Sequence, residues 1–463
     1  MPNSYEEEWD LERETLANEA GRSPAGGMPI RVLYALGPGD VVQFYRDSIP
    51  GKTPGLFPTE KELSAGTPAL RPPDKELSAG TPAFQMSMPF SKQFLDWCDE
   101  AGLEVHGVSS SLRADHLQVG AHSLENRPKP PIAGGRGWLP ILAQVWYGLR
   151  VVAWAVAERP DVVIVDSGTT EWIALTPLRL FGIPVIAVLH NTLWPMGYPQ
   201  RRWKGRLLLR ASGFFFRYVA AATVGVSPEC ARQVWQVAGR PRGPVLECRA
   251  QFRTGFLSRV APVTSVGRTP FQVLFLGRFE NIKGIYLIVL LARQLEAEHP
   301  GAFRWRMVGS GSEFEALKQS IAKAGVGHVV QVEASLPSEE VALRTMGWAH
   351  AMIVPTLNDF CEGLAMTAAE CVLAGRPVVV SEVVPAWEVL DGAALKAEAG
   401  NVASFADALK RLALEPGCYE ACQRATTAVQ GQFYDRSQGL GAVLGRAVLA
   451  VTKQGRSRID STQ

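Results

Sequence analysis

The chain has 463 residues, 47% of them hydrophobic, with 44 glycines and 32 prolines. That length exceeds one ordinary core and suits two domains of roughly 150–250 residues each. Charged residues make up 20% and the formal net charge is +2, which excludes a globally basic nucleic-acid binder and leaves electrostatic function to local clusters.

Met1–Gly27 carries Glu6, Glu7, Glu8, Asp10, Glu12 and Glu14 and has no apolar run, so it reads as a disordered acidic tail and not as a signal peptide. From Ile30 short β-rich runs alternate with helical stretches, the pattern of a parallel α/β fold. "IRVLYAL" (Ile30–Leu36) is the first predicted strand and ends in a loop holding Gly37 and Gly39. Residues 46–84 read as a surface insertion rich in Pro and Gly. "KELSAGTPA" occurs there twice, at Lys61–Ala69 and Lys75–Ala83, too few and too polar for a solenoid. Trp138–Ala157 is apolar enough to span a bilayer. Pro140, Gln144 and Arg150 interrupt it and a strand follows, so a buried helix of an α/β sheet is expected. "DVVIVD" (Asp161–Asp166), "IPVIAVLH" (Ile183–His190) and "AATVGVS" (Ala221–Ser227) are further strands.

A first domain is thus expected over 28–257, a Pro/Ser/Gly linker over 258–269 and a second domain over 270–430, with a helix and tail over 431–463. The second series begins with "FQVLFLG" (Phe271–Gly277) and a helix over Ile285–Glu298. Strands at Trp305–Gly311, Val329–Ala334, His350–Thr356 and Arg376–Glu382 follow. Two such domains place a cleft where the strand carboxyl ends face each other, which is where open sheets bind ligands.

Three segments of the second domain carry candidate chemistry. In "FCEGLAMTAAE" (Phe360–Glu370), Glu362 and Glu370 stand eight positions apart. On one helix they are about 12 Å apart along the axis, a span that suits a sugar nucleotide. The amides of Gly363, Leu364 and Ala365 then form a helix N-terminus able to hold a diphosphate. In "GRFENIKG", Arg278 and Lys283 follow Gly277 between a strand and a helix, where two cations suit a diphosphate leaving group. Gly309 opens a glycine-rich turn, for which close packing explains the glycine as well as phosphate approach does.

In that order, Gly277-Arg278, Lys283-Gly284, Gly309-Ser310-Gly311, Pro355-Thr356, Glu362 with Glu370, and Gly375-Arg376-Pro377-Val378 resemble the C-terminal domain of glycosyltransferase family 4. The resemblance is close over about Phe271–Val380. It implies a GT-B fold: two Rossmann-like domains facing across a cleft, acceptor-binding at the N-terminus and donor-binding at the C-terminus. It further implies that Arg278 and Lys283 bind the donor diphosphate, Glu370 the ribose hydroxyls and Glu362 the transferred sugar. The chain departs from the family at Ala365, where glycine is usual. The N-terminal half matches more loosely. "IRVLYALGPGD" looks like the first strand and glycine loop, and "GIPVIAVLHN" like a Pro-Val…His strand end, which turns His190 toward the reacting sugar. "VGVSPECARQV" (Val224–Val234) resembles a strand-Ser-helix entry, with Ser227 as the N-cap.

The resemblance thus implies an enzyme that transfers a hexose from a nucleotide-diphosphate sugar, with retention, to a hydroxyl of a lipid-linked or polysaccharide acceptor. No Asp-x-Asp pair stands where GT-A enzymes need one, so transfer without metal or cofactor is expected, and no nucleic-acid partner. A nucleotide-sugar 2-epimerase of the same fold and a non-catalytic sugar-nucleotide-binding protein are the rivals. The seven scattered cysteines fit a reducing, cytoplasmic compartment, and Cys418 and Cys422 read as helix-face thiols and not as half a zinc site. Gln200–Tyr218 holds Arg201, Arg202, Lys204, Arg206, Arg210 and Arg217 and no acidic residue. Two readings of it stay open: a peripheral contact with an anionic membrane surface at the inner face, or a core helix with a solvated basic edge.

Overall fold

The structure is a computed structural model, and it describes residues 29–37, 39–48, 89–111, 113–129, 138–253, 255, 257–263, 270–334 and 339–460. The acidic segment before residue 28 and the duplicated "KELSAGTPA" lie outside the described residues.

The first domain is built on eight strands: β1 (Arg31–Ala35), β2 (Glu104–Ser109), β3 (Asp115–Val119), β4 (His122–Asn126), β5 (Val162–Asp166), β6 (Val185–Leu189), β7 (Ala222–Gly225) and β8 (Val245–Glu247). They lie in the order β3-β4-β2-β1-β5-β6-β7-β8, all parallel except β3, which pairs antiparallel with β4. Residues on both faces of β5 and β6 are buried, which is why "VVIVD" and "VIAVL" are continuously apolar and do not alternate. The second domain has six strands: β9 (Phe271–Leu276), β10 (Phe303–Val308), β11 (Val330–Glu333), β12 (Ala351–Val354), β13 (Val378–Ser381) and β14 (Ala394–Ala397). Their order is β11-β10-β9-β12-β13-β14, parallel throughout. In each sheet the strand order reverses beside the domain's first strand, between β1 and β5 and between β9 and β12. The loops that leave those strands therefore diverge and open a crevice.

The chain crosses between the domains twice. After β8, Ala250, Phe252, Leu257 and Val260 pack into the second core. At the other end, the helix Leu440–Asp460 returns to the first: Leu440, Val443, Leu444, Ala447 and Val448 join its core. Gly441 and Gly445 of that helix let it lie against the backbone of Gln93 and the ring of Trp97. The helix Leu139–Glu158 differs from its expected burial. Tyr147, Gly148, Val151, Val152 and Ala155 face the core, but Leu139, Leu142, Trp146 and Leu149 are exposed.

Candidate active site

The carboxyl ends of the two sheets meet. On the first domain, β5 ends in Asp166 and the neighbouring β6 runs into His190. Imidazole Nε2 lies 3.1 Å from Asp166 Oδ1, and the His190 amide donates to Ser167 Oγ at 2.9 Å. The Tyr34 hydroxyl, from β1, donates to the same Asp166 oxygen at 2.9 Å. A carboxylate oxygen facing both groups accepts from both, so Nε2 carries a proton. Nδ1 is buried and, among the described residues, has no hydrogen-bond partner. The Phe90 ring lies against the imidazole, with centroids 5.0 Å apart. Burial and the Asp166 charge push the Tyr34 phenol well above its ordinary pKa, so it stays a donor. Asp166 and Tyr34 are positioning residues that the sequence reading passed over. No sequence signal marked them: the register of β5 on β6, where Asp166 pairs with Val188, is what sets Asp166 one strand over from His190.

Gly363 from the second domain touches this group. A Cβ there would lie 1.9 Å from the His190 carbonyl oxygen, and the Thr192 amide donates to the Glu362 carbonyl at 3.4 Å. His190 and Glu362 are thus brought to one point across the cleft, although 172 positions separate them in sequence. The Glu362 side chain is buried and paired with Lys283 Nζ, and it accepts from Thr356 Oγ1 at 3.0 Å. The Phe360 ring lies under the ammonium, 4.2 Å from Nζ. Arg278, in the same loop after β9, pairs with Glu280 at 2.9 Å. Both cations therefore sit at the switch point, each held by a carboxylate.

Close packing shapes this rim. Phe279 is fully buried between the two loops, and its amide donates to the Ser310 carbonyl at 2.8 Å. A Cβ on Gly309 would fall 1.8 Å from the Gly277 carbonyl oxygen, and one on Gly284 2.0 Å from that of Pro355. For Gly309 this decides for packing: the backbone of one loop crosses the other where no side chain fits. Around Gly37 and Gly39, beside the other switch point, no described residue beyond their chain neighbours comes within 4 Å of where a Cβ would stand.

One expectation is corrected. Glu362 and Glu370 do not share a helix, which runs only from Met366 to Leu373 with Ala365 at its N-cap. Ala365 has φ +64°, a left-handed conformation that breaks the helical path, so Glu362, Gly363 and Leu364 form a bend before the first turn. Glu370, inside the helix, is 7% exposed, and among the described residues no protein group donates to its carboxylate. Burial pushes its pKa up to about 7. On the first domain, burial pulls Lys129 down to about 8 while its ammonium donates to the Gly168 carbonyl at 2.9 Å, just past Asp166. No sequence signal marked Lys129. Among the described residues no group of three His, Cys, Asp or Glu side chains is arranged to hold a metal ion, and all seven cysteines are unpaired.

A family model described as Glycosyltransferase Family 4 matches residues 92–246, and one described as Glycosyl transferases group 1 matches residues 270–415. Together they take in both domains and both sides of the cleft. The chain belongs to glycosyltransferase family 4. Two curated relatives of this chain are D-inositol 3-phosphate glycosyltransferases. The one from Arthrobacter sp. is 27% identical over 254 residues, 51% of this chain and 58% of the relative. The one from Acidothermus cellulolyticus is 31% identical over 195 residues, 40% of this chain and 42% of the relative. The matched region is thus under two thirds of either relative's length.

Among solved structures, α,α-trehalose 6-phosphate synthase from Burkholderia multivorans superposes with a TM-score of 0.65 at 12% identity, covering 94% of this chain and 99% of that one. Sucrose-phosphate synthase from Thermosynechococcus elongatus gives 0.59 at 15%, covering 80% and 93%. The Anabaena protein HepE, solved with UDP and glucose, gives 0.52 at 14%, covering 93% and 100%. At these identities the likeness is one of fold, and the fold is GT-B. Both family models and both curated relatives are described as glycosyltransferases.

Proposed function

We propose that this glycosyltransferase takes a hexose from a nucleoside-diphosphate sugar held by the second domain and passes it, with retention, to a hydroxyl of a glycan or lipid-linked acceptor. Glu370 carries the reading. A carboxylate this buried, with its pKa raised and no protein donor, is costly unless a ligand supplies hydroxyl donors. The ribose of a nucleotide does so. Arg278 and Lys283 then meet the diphosphate, Gly363–Ala365 approach it through their backbone, and Glu362, which Thr356 orients, contacts the sugar. Gly277 and Gly309 let the two loops come close enough to form that rim. The acceptor enters past Gly37 and Gly39 and meets His190, whose ring Asp166 orients.

In the proposed step the acceptor oxygen bonds to the anomeric carbon on the face from which the diphosphate leaves. The acceptor proton passes to the departing phosphate oxygen. Charge grows on that oxygen as the glycosidic bond breaks, and Arg278 and Lys283 stabilise it, which is the part a metal ion plays elsewhere. The proposed reaction needs no metal. Incubation with a panel of UDP- and GDP-sugars, with and without EDTA, tests this through donor hydrolysis. Cleavage of at least one donor that survives chelation is expected, and failure to bind or cleave any of them refutes the reading.

A further inference from the structure

The helix Leu139–Glu158 is long and apolar enough to cross a membrane, yet its packing forbids that. Its inner face is locked into the first domain. Tyr147, Val151 and Ala155 have no exposure, and a Cβ on Gly148 would lie 2.2 Å from Thr170 Oγ1. The outer face is a stripe of Leu139, Leu142, Trp146 and Leu149, of which Leu139 is 73% exposed. Leu139–Ala157 contains no acidic residue and a single cation, Arg150.

This stripe continues onto a second helix, Trp203–Tyr218. The Trp138 and Trp203 rings lie 6.0 Å apart at the amino ends of the two helices, with Lys204 Nζ 5.2 Å from the first and 5.9 Å from the second. Trp203, Leu207, Phe214 and Tyr218 are exposed along the second helix. Between the two helices packs the turn Trp172–Arg179. It is tied to the second helix by Arg179 Nη1 donating to the Tyr218 carbonyl at 2.6 Å, and it ends in the exposed Leu180 and Phe181. Arg201 and Arg202 stand exposed just before that helix and Arg206 and Arg210 along it, and among the described residues none has a carboxylate partner.

We propose that this face, two helices and one loop wide, lies flat in the interface of an anionic bilayer, with the apolar stripe below the headgroups and the arginines among the phosphates. A broad apolar surface edged by unpaired cations matches that environment on both counts. Lys204 held over two indoles is the amphipathic arrangement expected at headgroup depth. A protein partner in a groove would need a channel between the helices, and the turn Trp172–Arg179 fills that position. On this proposal Gln200–Tyr218 takes the membrane reading, and the exposed Leu139, Leu142, Trp146 and Leu149 of the helix expected to be buried form half of the surface.

The full chain is tested with vesicles of phosphatidylcholine alone and mixed equally with phosphatidylglycerol. Co-sedimentation with the anionic vesicles is expected, weakening at high salt without disappearing, since salt screens the cations and leaves the apolar contact. Each arginine near the surface is worth about fivefold in partitioning, so Arg206→Ala/Arg210→Ala is expected to lose about 25-fold. Leu142→Glu is expected to lose binding while keeping the melting temperature and donor hydrolysis of the parent. Phosphatidylglycerol brominated on its acyl chains quenches the wild-type tryptophan emission if the stripe is inserted. Absence of binding, equal binding to neutral and anionic vesicles, or unquenched emission overturns the proposal. So does a lipid-free dimer in sedimentation equilibrium that Leu142→Glu dissociates, because the stripe is then a contact between copies of this chain.

Discussion

Glu370→Gln separates the cost of the donor site from its use. The carboxyl has a pKa of about 7 when folded, against an ordinary value of 4.5, and desolvation is the cause. Below the unfolded value both states are protonated and its stabilising contribution is fully present. As the pH rises from 4.5 to 7 the unfolded chain releases a proton that the folded chain retains, so stability falls. Above about 7 the folded carboxylate ionises and the loss levels off at about 3 kcal/mol. A glutamine cannot ionise, so Glu370→Gln is expected to match the parent near pH 4.5 and to exceed it at pH 8 by up to about 3 kcal/mol. At about 2–4 °C per kcal/mol for a domain of this size, the difference is readable in the melting of the second domain. Nucleotide binding is expected to move the opposite way. A charged acceptor that faces ribose hydroxyls contributes about 1.5–3 kcal/mol, so the variant binds a nucleoside diphosphate roughly tenfold or more weakly. Calorimetric titration with UDP and GDP beside melting curves at pH 5 and pH 8 reads both effects. A variant less stable than the parent at pH 8 shows that the carboxylate holds the protein fold. Unchanged affinity for both nucleotides shows that it faces no ribose. Either result refutes the reasoning.

Lys283→Ala and Arg278→Ala are each expected to slow transfer tenfold or more, because a diphosphate loses a charge-assisted partner; wild-type kinetics in both places the donor elsewhere. Lys283→Ala also leaves the buried Glu362 unpaired, and Lys283→Ala/Glu362→Gln is expected to recover stability without recovering activity, as melting and kinetics together report. Ala365→Gly relieves a left-handed residue and is expected to raise stability by about 0.5–1 kcal/mol despite the greater freedom of the unfolded chain; a lower melting temperature contradicts the strain. Gly284→Ala, with φ +75° and the Pro355 carbonyl oxygen in the way, is expected to cost about 2–4 kcal/mol and to raise KM for the donor as the Lys283 loop is displaced.

The sequence by itself determined the alternation of strand and helix, the helix Ile285–Glu298 to the residue and the order of the donor-side motifs, because apolar period and glycine placement are local properties. It did not mark the hairpin β3–β4, the polar edge of its sheet, where β3 leaves His116 and Gln118 exposed and each short strand holds too few apolar residues to form a run. Tertiary structure alone decided what meets across the cleft. His190 against Gly363, Asp166 beside His190 and Lys283 on Glu362 depend on strand order and on how closely two backbones approach. Neither leaves a periodic trace in one dimension. The same holds for Leu139–Glu158. Its composition states that the helix is apolar, but only the neighbours packed on it determine which face is buried and which is left bare.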